Sequence, residues 1–366
     1  MSQEETITAL LTPASSIKPQ KTKWLWACSS HGVIPLGTGT VMAGYGGEGK
    51  TTFILDLVAQ LSRGELEGDL QGTPYPAILF TPEDAWEFVT IPRLTAAGAN
   101  LDNVYQLQRR VRFGESHSDQ ELTFPQDTEL LESQIIETGA KIVLLDPASQ
   151  MMGALDMNKA QDVRRAFAPL MAVAAKHEVA IIMISHFNKG SGGRTQHKVS
   201  GSHAWRDITR SMLVMAVDPD TNERVVTQDK NNYGTGLGSW KFALESVSVP
   251  IPGSDPTEVG RVKFLGASEM TVGELVNREV DGGDDDDKNA AQMFVVDFIR
   301  NSTEPEVKAG DVIKAGRAAG FKDQEIRDAR RRCSNPRIVS VRPRGGSGWV
   351  WAFEDAPDQG GLKVAA

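Results

Sequence analysis

The chain has 366 residues, a formal net charge of -9, 40% hydrophobic residues and two cysteines. That length exceeds one small core and suggests two domains. No apolar run approaches the ~20 residues of a membrane span, the polar start (Ser2 to Thr8) lacks the order of a signal peptide, and two cysteines exclude a disulfide framework or a cysteine zinc site. A cytoplasmic location without a membrane partner is expected. Residues 289–366 carry 13 Lys/Arg against 10 Asp/Glu, and the rest 26 against 38. So acidic a body argues against nucleic-acid binding by the whole surface and leaves local basic patches as the candidates.

Residues 1–23 are polar and read as an irregular lead-in. Trp24-Leu25-Trp26 is placed at the edge of a core, with contact to a nucleotide base as the alternative. Gly39 to Ala43 suits a buried strand, and Phe53, Ile54, Leu57, Val58 and Leu61 recur at helical spacing. Between them Gly44, Gly49, Lys50 and Thr51 fit the phosphate-loop pattern G-x-x-x-x-G-K-[ST]. Triphosphate oxygens need several converging backbone N–H groups, which requires positions without Cβ atoms and with positive φ. Gly44, Gly46, Gly47 and Gly49 meet that need, with Glu48 and Thr52 in the same stretch. Lys50 is expected on the β- and γ-phosphates of ATP, and Thr51 on Mg2+.

Ala77 to Phe80 reads as a second strand, ending in Thr81-Pro82-Glu83-Asp84. Carboxylates there point into the crevice where α/β proteins bind ligands. One could orient the water that attacks the γ-phosphate, and both could merely cap the next helix. Residues 86–97 suggest a helix interrupted by Pro92, Val104 to Leu107 a strand, and 127–138 a helix; 110–126 fit no pattern. Ile142 to Leu145 closed by Asp146 is the expected strand partner of the phosphate loop, its carboxylate facing Mg2+. An amphipathic helix spanning Val163 to Ala174 precedes the buried strand Val179 to Ile184, which leads into Ser185-His186. His186 is either a γ-phosphate sensor or a structural histidine.

Gly190 to Ser202, with Arg194, His197 and Lys198, reads as a loop able to grip a phosphate backbone or simply to face solvent. Short strands then recur between Met212 and Leu265, an antiparallel extension of the sheet. Asp281 to Asp287 reads as an acidic linker, assigned to 276–288. Beyond it three helical stripes and two strands around Gly345-Gly346-Ser347-Gly348 describe a winged helix over 289–356, before a tail of 357–366. Arg327, Arg330 and Arg331 are expected on one outward face of its third helix, with Arg337, Arg342 and Arg344 on the wing. DNA contact and protein docking both fit such a module.

Gly44 to Thr51, Thr81 to Asp84, Leu144 to Pro147, Ser185 to Lys189 and Lys230 to Gly234 together resemble the motif series of RecA-fold ATPases. They are most similar to the RepA-like hexameric helicase branch of actinobacteria and their phages. The resemblance covers roughly residues 20–355. Its sharpest phrases are Arg63-Gly64-Glu65-Leu66, Ala96 to Asp102 and Lys230-Asn231-Asn232-Tyr233-Gly234. Histidine at 186, where recombinases and DnaB-type helicases usually carry glutamine, favours this branch.

The resemblance implies an α/β RecA-like ATPase domain over 24–275 and a ring of six copies using ATP and Mg2+. Glu83 becomes the catalytic base, Asp146 the Mg2+-side acid and His186 the γ-phosphate sensor. Arg210 and Lys230 become the basic residues supplied by a neighbouring copy, with Arg206 as the alternative to Arg210. Single-stranded or forked DNA is the implied substrate, for which Lys189, Arg194, Lys198, Arg327, Arg330, Arg331 and Arg344 are the candidate contacts by residue type and position, and other replication proteins are implied partners. A filament-forming recombination or repair ATPase and a nucleotide-switched DNA-binding or loader protein are the rival functions.

Overall fold

The computed structural model describes residues 10–113, 116–186, 202–219, 221–234, 236–302, 304, 306–333, 336–341 and 349–354, with backbone alone at 113, 202, 203, 277–290 and 332. Two units emerge, residues 1–275 and 276–366. In the first, apolar runs become the strands Thr38–Gly44 (β3), Ala77–Phe80 (β4), Ile142–Leu145 (β8), Ala180–His186 (β9) and Ser211–Val217 (β10), buried almost throughout. Covered on both faces, such strands cannot alternate polar with apolar residues, which explains the unbroken hydrophobic runs. With Val104–Gln106 (β5) at one edge they form a six-stranded parallel sheet in the order β10-β3-β9-β8-β4-β5. Arg224–Asn231 (β11), Ser239–Val249 (β12) and Thr257–Ala267 (β13) extend it antiparallel beyond β10.

One face of the sheet packs on the helix Lys50–Arg63 (α1) and on the hairpin formed by Trp24–Cys28 (β1) and His31–Pro35 (β2). Trp26 sits in this core, 5.5 Å from both the Phe53 and Trp240 rings, so the tryptophan pair expected at a core edge belongs to a strand. On the other face, Thr128–Thr138 (α3), Ala160–His177 (α4) and Ser202–Ile208 (α5) accompany a chain of aromatic contacts running Phe124, Phe167, Trp205.

Two segments differ from the sequence reading. Residues 86–97 hold a π-helical turn, Trp86–Thr90, running into Ile91–Ala96 (α2). Pro92 is the second residue of α2, at the junction where the π-helical turn gives way to α-helix. The unplaced region contains a hairpin, Arg109–Phe113 (β6) with Ser116–Gln120 (β7). Arg110 pairs with Asp119 at 2.7 Å, and β7 (Ser116 to Gln120) holds no apolar residue, so Val111 and Phe113 of β6 have no apolar partner strand to mark the hairpin in the sequence.

A 29-residue helix Val272–Arg300 (α6) starts in the last residues of the first unit, and in the second unit it is followed by Val307–Lys308 (β14), Ala309–Ala318 (α7), Asp323–Arg332 (α8), Ile338–Val341 (β15) and Val350–Phe353 (β16). The stretch 276–288, expected as a linker, has helical backbone. Good helix formers lie on both sides of it, and propagation from formed turns overrides the cost of about 1 kcal/mol for each of Gly282 and Gly283. The strands pair in the order β14-β16-β15 around a core of Val295, Ile299, Val312, Ile326, Ala329, Ile338 and Trp351. No helix among the described residues is long and apolar enough to cross a membrane.

Candidate active site

Side chains alternate along a strand, so residues two apart share a face. Met42, Leu79, Leu144 and Ile184 all belong to the core beneath α1. Two residues on from each come Gly44, Thr81, Asp146 and His186, which leave the carboxyl edge of the sheet on the α1 side. Gly44 pairs directly with His186, and the pairing of Phe80 with Leu145 sets Thr81 beside Asp146.

The phosphate loop runs from Gly44 to the start of α1. A Cβ at Gly44 would lie 2.5 Å from the Glu48 carboxylate and 2.7 Å from the Met215 carbonyl, so the backbone passes where no side chain fits. Gly47 and Gly49 have φ of 81° and 98°, the left-handed region that only glycine enters cheaply. A Cβ at Gly46 or Gly47 would meet nothing within 4 Å, so the loop presents bare backbone to open space. No side chain caps α1 at Gly49. Its first N–H groups, those of Thr51 and Thr52 included, keep the positive end of the helix for an anion. This cradle fits a polyphosphate.

Lys50 is 4% exposed, and its ammonium donates to the carbonyls of Gly44 (3.0 Å) and Tyr45 (2.6 Å). Burial pushes its pKa down, opposed by the carboxylates of Glu48 and Asp146. Thr51 Oγ1 donates to Asp146 Oδ2 at 2.6 Å. Burial pushes the Asp146 carboxyl up to about 6; the Thr51 bond and Lys50 oppose this, while Asp84 and Glu83 add repulsion. A hydroxyl and a carboxylate side by side are hard oxygen donors of the kind that suit Mg2+, the remaining positions of its shell falling to water and phosphate oxygens.

Glu83 is exposed and its Oε1 accepts from Gln150 Nε2 at 2.7 Å. Asp84 accepts from Arg93 at 3.1 Å. Thr81 is buried, and its Oγ1 has no partner among the described residues. Desolvation, then the charge of Lys50, holds the His186 pKa below 6.5 although the ring reaches the surface; Glu83 opposes the shift. That shift favours the neutral imidazole, which donates through one nitrogen and accepts through the other.

Other expected site residues lie elsewhere. Arg210 N–H donates to the Gly39 carbonyl and Ser211 pairs with Thr40, at the amino edge of the sheet. At ~3.3 Å per strand residue that is roughly 15 Å from the phosphate loop of the same chain. Lys230 is beside it, donating to the carbonyls of Arg206 and Thr209, with its pKa lowered by burial and then by Arg206 and Arg210. Arg206 is bound to the carboxylate and carbonyl of Asp229. The exposed Arg210 guanidinium has no ion pair or hydrogen bond among the described residues, so of the two arginines it is the one available to another molecule.

Lys189, Arg194, Lys198 and Arg344 lie outside the described residues, as does most of the expected loop from Gly190. On α8, Arg327 is exposed and Arg331 pairs with Asp328 at 3.2 Å. Arg330, expected on the same outward face, instead lies over the Trp351 ring at 5.7 Å, and desolvation lowers its pKa. A guanidinium on a long stem turns back to an aromatic face when one is in reach.

Two neighbours of the site carry no signal in the sequence. Gln150 follows Asp146 by four residues and had no pattern to mark it. Leu244 of β12 lies 3.1 Å from where a Cβ of Gly49 would be, bringing the antiparallel extension against the phosphate loop. Only the strand order of the finished sheet reveals that contact.

Comparison with known proteins bears on the same stretch. The family model of the AAA domain matches residues 3–192, more than half of the chain, and covers the phosphate loop, Glu83, Asp146 and His186. No curated protein matches the chain.

Proposed function

Because the chain belongs to the AAA domain family of nucleotide-hydrolysing P-loop ATPases, we propose that it is a Mg2+-dependent, ring-forming ATPase of the RepA-like helicase type. In this reading hydrolysis drives movement on single-stranded or forked DNA. The observation that supports it most is the division of the proposed catalytic residues between two edges of one sheet. Phosphate loop, Asp146, Glu83 and His186 gather at the carboxyl edge, while Arg210 and Lys230 lie at the amino edge. A second copy presenting its amino edge would complete the site, and turnover would then depend on assembly.

In this reading Lys50 and the loop N–H groups bind the β- and γ-phosphates of the substrate. Thr51 and Asp146 would hold Mg2+, which when bound withdraws charge from the phosphate oxygens. Glu83 orients the attacking water and takes its proton. His186 donates a hydrogen bond to the γ-phosphate, and Arg210 of a neighbouring copy stabilises charge on the transferring phosphoryl group. The second unit serves as a winged helix over 289–356 that docks DNA or a protein partner. Its α8 face is nearly neutral, because Arg331 is paired with Asp328.

The test is ATP turnover with and without single-stranded DNA, beside native mass and strand displacement on a forked duplex. Turnover accelerated by DNA in a closed ring is expected. Hydrolysis indifferent to DNA, with no DNA bound, would sink the motor; open helices on DNA would select a filament-forming ATPase.

A further inference from the structure

We infer that Gln150 is a positioning residue for Glu83, a role that rests on the reading of Glu83 as the group that orients the attacking water. Glu83 stands after Pro82 in an exposed loop, and a free glutamate there would sample several rotamers. Its Oε1 instead accepts from Gln150 Nε2 at 2.7 Å.

The donor is well anchored. Gln150 lies in the 3-10 turn Ala148–Met152, which leaves β8 directly behind Asp146 and Pro147. Ala148, Met151 and Met152 of that turn are buried, and the Met151 carbonyl accepts from Phe124 N–H at 2.8 Å. Gln150 is thus the exposed polar arm of a turn held by its buried neighbours and by the Phe124–Met151 backbone bond. It ties the loop after β4 to the loop after β8, and so sets Glu83 against the strand end that carries Asp146.

The chemistry of the donor matters. An arginine or lysine here would neutralise Glu83 and weaken it as a proton acceptor. The neutral amide restrains one carboxylate oxygen and leaves Oε2 to take a proton. Because Gln150 touches the carboxylate and not the phosphates, its effect falls on the chemical step rather than on nucleotide binding.

The experiment measures kcat, KM for ATP and binding of Mg2+-ADP in the full-length chain bearing Gln150→Ala, Gln150→Glu, Glu83→Gln or the double substitution Glu83→Gln/Gln150→Ala. A misoriented base costs roughly 10- to 100-fold in kcat. That fall is expected for Gln150→Ala with KM and ADP affinity within about twofold of the parent. Gln150→Glu keeps the volume but replaces the donor with a carboxylate, and is expected to be at least as slow. In the Glu83→Gln background the alanine substitution is expected to add nothing, as for two residues acting through one group. Parental kcat in Gln150→Ala alongside an inactive Glu83→Gln overturns the positioning role and spares Glu83. So does activity retained in Gln150→Glu but lost in Gln150→Ala, which marks packing alone. Parental turnover in Glu83→Gln overturns the base assignment and the positioning role together.

Discussion

The carboxyl edge of the sheet and helix α8 both concentrate charge, and they handle it in opposite ways. On α8, most charges near the surface are answered by near neighbours, Asp323 by Arg317 at 2.7 Å and Asp328 by Arg331 at 3.2 Å, while the partly buried Arg330 guanidinium lies over the Trp351 ring. At the sheet edge Lys50 and Asp146 are withdrawn from water with fewer partners than their charge demands, and burial shifts both pKa values toward the neutral form. Such groups are held in place by the strands and by α1, and a ligand of matching charge relieves them. Local pairing makes a quiet surface, and enforced burial makes a site.

The most severe way to break the contrast is Lys50→Ala. It removes the cation of the phosphate loop, and ATP turnover is expected to fall by roughly 100-fold or more, as measured by phosphate release. Retained turnover would mean that the buried lysine is only a loop brace.

Asp146→Asn tests the same edge through stability. A folded-state carboxyl raised from 3.8 to about 6 opposes folding once it is charged. At neutral pH the penalty is fully present, on the order of 3 kcal/mol. It fades as pH falls from about 6 toward 3.8 and vanishes below both values. In EDTA at pH 7.5, urea unfolding is therefore expected to show the Asn variant more stable than the parent, with little difference near pH 4. Mg2+-dependent turnover is lost in the same variant. Equal stability at both pH values would show that the carboxylate is not desolvated.

Weaker effects sharpen the other side. Arg330→Ala strips a cation from the Trp351 face and is expected to cost the second unit about 1 kcal/mol, whereas Arg327→Ala costs less than ~0.5 kcal/mol. Asp328→Asn removes one exposed pair and is expected to leave the melting temperature unmoved. If Arg327→Ala proves the more damaging of the two arginine variants, the inward placement of Arg330 is wrong.

Much of the site is legible in the primary structure because it depends on short-range rules. Glycines spaced around a lysine specify a bare, left-handed turn before a helix, and apolar runs closed by Asp146 and His186 mark strand ends. That Met42, Leu79, Leu144 and Ile184 share the α1 face was not legible, because strands covered on both faces carry no alternation to show their phase. The β6–β7 hairpin was not, since β7 carries no apolar residue. Neither was the inward turn of Arg330, because an arginine's spacing on a helix says where its stem starts and nothing of where its long side chain ends.

By itself, then, the amino-acid order determined which residues could cradle a triphosphate, because backbone conformation is set within a few positions of the chain. Tertiary structure alone decided that Gln150 meets Glu83 across 67 residues, that Leu244 reaches the phosphate loop and that Arg210 stands at the far edge from it. Those placements come from the order in which the strands assemble, and strand order is settled by packing the whole sheet between its two layers.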